Sequence, residues 1–93
     1  MENQMYESVW DALEDTPEVA ENMKIRSVLM MALQAQVRRW DLSQTEAAQR
    51  IGVTQPRLND LLRGRIDKFS LDALVNMIVR AGLQLQVDVR EVA

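Results

Sequence analysis

The chain contains no cysteine and no histidine. Those two absences exclude a disulfide framework, a zinc site built on cysteine and histidine, and any catalytic plan that needs a thiol or an imidazole. Carboxylates are plentiful, but no acid and base stand beside a nucleophile, so neither enzymatic activity nor a cofactor or metal is expected. No apolar run approaches the ~20 residues of a membrane span. The opening MENQMYESVW lacks the basic, then apolar, profile of a signal peptide, and a cytoplasmic location is expected. Internal repeats, low-complexity tracts and Gly/Ser linkers are missing too. What is left is a single domain of 93 residues, small enough that dimerisation would add to its stability.

The net charge of -3 is unevenly laid out. Residues 1–22 hold seven acids and no Lys or Arg, whereas from Met23 onward 11 basic residues face seven acids. Fields are set by local clusters and screened within about 8 Å at physiological salt, so an acidic protein can carry a basic face.

Caps and periodicities divide the rest of the chain. Thr16-Pro17-Glu18 reads as a helix start, with Thr as N-cap and Pro in the first turn. The pattern Ile25, Leu29, Leu33, Val37, Trp40 carries that helix to about Trp40, and the polar pair Glu21-Asn22 is the expected point for a break. Ser43 caps a second helix with Glu46 as capping-box partner. Gly52 stops it, Thr54 caps a third that ends at Gly64, and Ser70 caps a fourth that closes at Gly82. Beyond Gly82 the period becomes two, with Leu83, Leu85, Val87 and Val89 alternating with polar residues as in a half-buried strand. A lone strand cannot satisfy its own backbone, and a second copy pairing antiparallel is the simplest partner; a final extension of the fourth helix or an irregular tail are the alternatives.

The second and third helices have the composition of a helix-turn-helix. Ala48 is small where the axes approach, and Gly52 suits a positive φ in the turn. Ala47, Ile51, Val53, Leu58 and Leu61 fall on the inward faces, and Leu62, Phe69, Leu71, Leu74 and Ile78 extend that core. The methionines Met23, Met30, Met31 and Met77 are read as gap fillers.

On VWDALEDTPEVAENMKIRS, SQTEAAQRIGVTQPRLNDLLRG and FSLDALVNMIVRAGLQLQVDV, the chain resembles the Cro/C1-type (XRE-like) helix-turn-helix proteins. Within them it is similar to HigA-like antitoxins of bacterial toxin-antitoxin systems. The resemblance implies a mainly α, compact, lambda-repressor-like helical bundle, with a C-terminal β-strand pairing across a dimer. Charge, caps and periodicity divide the chain into an acidic N-terminal arm (1–15), a helix-turn-helix DNA-binding domain (16–82) and a dimerisation strand (83–93) carrying Leu83, Leu85, Val87 and Val89.

In such a fold the third helix enters the major groove with its N-terminal residues toward the base edges. Thr54, Gln55, Pro56, Arg57 and Asn59 are therefore the expected base-reading set, Gln55 suited to adenine and Arg57 to guanine. Gln44 matches the family position that holds a backbone phosphate, and Arg63, Arg65 and Lys68 are expected along the phosphate strand. Arg38 and Arg39 fit either a phosphate or the negative end of their own helix. Asp60 is a misfit, free to accept from a cytosine amine or to orient Arg57 or Arg63.

In the acidic head, Met5, Val9 and Leu13 recur four apart with Tyr6 and Trp10 beside them. That stripe suits either self-docking or capture of another protein, and the resemblance implies a basic ribonuclease-type toxin, drawn by Glu2, Glu7, Asp11, Glu14 and Asp15. The expected function is a dimeric regulator of double-stranded DNA that represses its own operon as an antitoxin. A free-standing phage-type or chromosomal repressor is the alternative, and a protein-interaction module that does not bind DNA is a third.

Overall fold

Why a 24-residue helix forms from a segment with a polar interruption is the first question the fold answers. A computed structural model of the protein describes residues 16–92. Its first helix, α1 (Pro17–Trp40), is continuous through Glu21 and Asn22. The expected break is absent because both residues are exposed, where polar side chains cost a helix little, and neither glycine nor a second proline interrupts the run. Thr16 caps it, accepting a hydrogen bond from the Val19 amide at 3.2 Å. Asp41 ends it in the left-handed region at φ 54°, a conformation that a short polar side chain tolerates.

Three short helices follow. Ser43 and Glu46 close the anticipated capping box at the start of α2 (Gln44–Ile51). Gly52 turns the chain at φ 83°, and Thr54 caps α3 (Gln55–Leu62). A single turn of 3-10 helix (Ile66–Lys68), which the periodicity does not reveal, leads to Ser70 and α4 (Leu71–Arg80). Gly82, at φ 78°, reverses the backbone so that the Leu83 amide reaches the Ile78 carbonyl at 3.0 Å, a Schellman closure with Leu83 folded against the core.

The four described helices make a compact, mainly α bundle around Leu29, Met30, Leu33, Ile51, Leu58, Leu61, Phe69 and Leu74. Removing each of these large side chains from water stabilises the fold by about 1.5–3 kcal/mol before entropy is counted. Ile25, expected on the inner stripe, lies at the rim instead, and Met30 takes the inward position. Met77 is buried as well, while Met31 faces solvent, so only some of the methionines fill gaps. Two amides of α1 tie the ends of other helices to it. Gln34 donates to the Leu61 carbonyl and Gln36 to the Ala81 carbonyl, each at 2.9 Å, near the C-terminal ends where helix carbonyls lack partners.

The strand expected over 83–93 is not present among the described residues. Residues 84–92 have no regular secondary structure, and Val87 and Val89 are 76% and 87% exposed. The alternation is in the sequence, but a ladder needs a second strand, and the described residues of one chain supply none. Extension of α4 is excluded as well, since that helix stops at Arg80. No described helix is long and apolar enough to cross a membrane.

Candidate nucleic-acid interface

The turn between α2 and α3 is built from backbone. Both the Gly52 and Val53 amides bond to the Ala48 carbonyl, at 2.8 and 2.9 Å. Ala48 is itself buried, so the two helices meet over a methyl group. Gly52 has a second neighbour: a Cβ there would overlap the Arg80 guanidinium. The turn brings the start of α3 beside the start of α2.

At that junction Gln55 donates through Nε2 to the Thr45 hydroxyl at 2.8 Å. Gln44, Thr45, Thr54, Gln55 and Pro56 are all exposed. Thr54 accepts from the Arg57 amide, and Pro56 sits in the first turn, where the amide it lacks would have had no acceptor inside the helix. The N-terminal ends of both helices also carry the positive end of their dipoles and free amides, which favour anions. The Gln44 side chain makes no hydrogen bond within the described residues, while Asn59, one turn beyond Gln55, is half-buried.

Arg57 departs from its expected placement. Its guanidinium lies 4.4 Å from the centre of the Phe69 ring, and Nη1 donates to the Lys68 carbonyl at 3.0 Å. The side chain is held against the 3-10 turn and does not project from the mouth of the helix. Asp60 orients neither Arg57 nor Arg63; it pairs with Arg65 at 3.3 Å. Both partners retain contact with water, so the pair contributes on the order of 1 kcal/mol or less. Its larger effect is to cancel a negative charge beside α3.

Arg63 caps the C-terminal end of α3 through its backbone, and its guanidinium is exposed with no acidic partner among the described residues. Lys68 is exposed too. Of the α1 pair, Arg39 bonds to Gln36 on its own helix, and Arg38 stays in solvent within the last turn. Arg50 stacks 4.8 Å from the Trp40 ring centre and, with Arg80, lines an open cavity of about 290 Å³ bounded by Ala81 and Gly82. Both arginines belong to the last turns of their helices, where a cation meets the negative dipole end.

Sequence reasoning missed Thr45, which has no periodic signature, and two pairings: Arg57 on Phe69, which reads only as core, and Asp60 with Arg65, which depends on how the chain turns after α3. Met5, Tyr6, Val9, Trp10 and Leu13, the candidate toxin-binding set, lie outside the described residues.

A solved structure named as a candidate XRE-family transcriptional regulator superposes with a TM-score of 0.71 at 29% identity, over 77% of this chain and 81% of that one. The bundle therefore has an XRE-like helix-turn-helix architecture. No curated protein matches the chain. A helix-turn-helix domain family matches residues 12–90, nearly the full length, and the chain belongs to that family.

Proposed function

We propose that the protein is a sequence-specific DNA-binding transcriptional regulator of the XRE kind, not an enzyme, and that it acts as a homodimer on a near-palindromic operator. The observation that carries this reading is the Gln55–Thr45 contact, which joins the exposed N-terminal ends of α2 and α3 into one polar surface. Family membership and the XRE-named structural relative support it. In this reading α3 lies in the major groove, with Thr54, Gln55, Pro56 and Asn59 at the base edges. Arg57 joins them once it leaves Phe69. Gln44, Arg63, Arg65 and Lys68 contact phosphates and set the register.

Dimerisation falls to residues 83–93. Leu85, Val87 and Val89 are exposed on a segment without a backbone partner among the described residues, and antiparallel pairing with a second copy would supply the ladder. Two recognition helices would then stand about 34 Å apart, one turn of DNA. The finer reading is an antitoxin that represses its own operon and binds a basic ribonuclease-type toxin through the acidic arm at 1–15. Its support is the resemblance of the chain and the charge of that arm, with five acids and no base in its 15 residues.

Footprinting on the DNA upstream of the protein's own gene, at two salt concentrations, tests the main reading. Paired half-sites protected by wild type and weakened in Gln55→Ala are expected. Binding that is sequence-independent and vanishes with salt would overturn it. A toxin partner is tested separately by co-expression with the adjacent reading frame, and charge reversal of Glu7, Asp11 and Glu14 should slow that association.

A further inference from the structure

The C-terminal ends of α1, α2 and α4 meet at the open cavity of about 290 Å³ lined by Trp40, Arg50, Arg80, Ala81 and Gly82. Both charged groups in that lining are guanidiniums, which stay protonated in proteins. Gly52, in the turn after α2, stands at the same place, because the Arg80 guanidinium occupies the space its Cβ would need.

Helix dipoles explain a positive charge at each of these ends, but not where the two guanidiniums go. A cation serving the dipole alone would lie on the last carbonyls of its own helix. Several of those carbonyls already have donors: Ala48 and Gln49 accept from the amides of the turn, and Met77, Ile78 and Val79 accept from the Ala81, Leu83 and Gly82 amides. The Ala81 carbonyl accepts from Gln36. Arg50 instead lies over the Trp40 ring, and Arg80 reaches across from α4 to the turn. Apart from that ring contact, neither guanidinium has a hydrogen bond or ion pair among the described residues. Two like charges at one cavity repel, and an anion between them would reverse the sign of that interaction.

The donors and the volume define the ligand. Guanidinium forks match the paired oxygens of a carboxylate or a phosphate. The volume stands at the lower end of the range for small-molecule sites, roughly 300–1,000 Å³, which suits a metabolite. The position also separates the cavity from the polar surface around Gln55, since α2 places its two ends about 12 Å apart.

We propose that this cavity binds a small dianion, a phosphomonoester or a dicarboxylate, between the forks of Arg50 and Arg80. Trp40 holds Arg50 in place, and Gly52 leaves room for Arg80. Such a ligand would join three helix ends and stabilise the fold by binding only the folded chain. The proposal does not depend on what α3 binds.

The test is titration of the full chain with inorganic phosphate and, separately, with succinate, at constant ionic strength, followed by 15N NMR of backbone amides and arginine Nε–H groups. Saturable shifts are expected at Gly52, Gly82, Arg50 and Arg80, half-complete below about 1 mM for at least one of the two anions. At ten times that concentration the thermal midpoint should rise by roughly 5–10 °C. Arg50→Gln and Arg80→Gln change exposed residues and should leave the domain folded, yet each should weaken binding by about tenfold or more. Arg63→Gln, which removes an exposed guanidinium elsewhere, should change nothing.

Shifts that grow linearly with both anions, or that are as large at Arg38 and Arg63, would mean an adventitious ion only, and the proposal falls. It falls as well if both glutamine variants bind like wild type. If a DNA duplex shifts Arg50 and Arg80 while neither small anion saturates, the pair is a phosphate-backbone contact and not a metabolite site.

Discussion

Replacing Gly52 by alanine separates two reasons for a glycine in the turn. The residue sits at φ 83°, ψ 34°, and an L-residue in that region costs about 1–2 kcal/mol. The added methyl also overlaps the Arg80 guanidinium, but that group is the far end of an exposed, flexible side chain and can swing away. Alanine recovers about 0.4–1 kcal/mol by restricting the unfolded chain, which offsets part of the strain. The net expectation is a loss of roughly 1 kcal/mol, or about 4–8 °C in thermal midpoint for a domain of this size. Urea denaturation followed by circular dichroism would measure it, with Arg80→Ala and the double variant completing a cycle. Backbone strain predicts that the cost persists in the Arg80→Ala background to within about 0.5 kcal/mol. Full recovery in the double variant would show that the side-chain collision, and not the turn conformation, is what demands glycine.

Ser43→Ala removes the hydroxyl that accepts from the Glu46 amide, while the backbone amide of residue 43 still donates to the Glu46 carboxylate, and should cost about 1 kcal/mol in the same assay. Phe69→Leu should cost about 1–3 kcal/mol as a large-to-small exchange in the core, while removing the ring beneath Arg57. Relaxation of the arginine Nε–H signals in 15N NMR should then show the Arg57 side chain gaining mobility. An Arg57 signal as rigid as in wild type would mean that the Lys68 carbonyl alone holds it. For the operator complex, Arg63→Ala should flatten the plot of log affinity against log salt by about 1 in slope per protomer, with sequence preference unchanged. Deleting residues 84–93, which leaves Leu83 in place, should give monomers in sedimentation; a truncated chain that stays dimeric would move the interface elsewhere.

What the sequence discloses about this fold is what neighbours along the chain decide. Ser43 with Glu46, Thr54 with Pro56, and Gly52 between two amphipathic runs are signals spanning three or four residues, and each capping position is where the pattern puts it. The interruption expected at Glu21-Asn22 failed for a related reason: two polar residues facing water look like a boundary when the face they occupy is unknown. Ile25 shows the converse, since an apolar residue at the right spacing can still sit at the rim of the stripe. The candidate site was legible as a region and not as a set of contacts. Gln55 meets a threonine ten residues away, Arg57 a phenylalanine twelve away, and both pairings follow from the path of the chain after each helix. The segment after Gly82 is a different case, because its alternation predicts a strand where the described residues have no regular secondary structure.

The placement of Arg57 has a consequence for how discrimination would be distributed. Lys68 and Phe69 act on its guanidinium as a tethered competitor, always present at the same effective concentration whatever the duplex. A sequence offering only phosphate charge has to outcompete that internal site, whereas a guanine edge offers two aligned acceptors in return. On the proposed DNA-binding reading the arginine would serve as a threshold: weak sites would be met with it withdrawn, and its contribution would enter where the sequence draws it out.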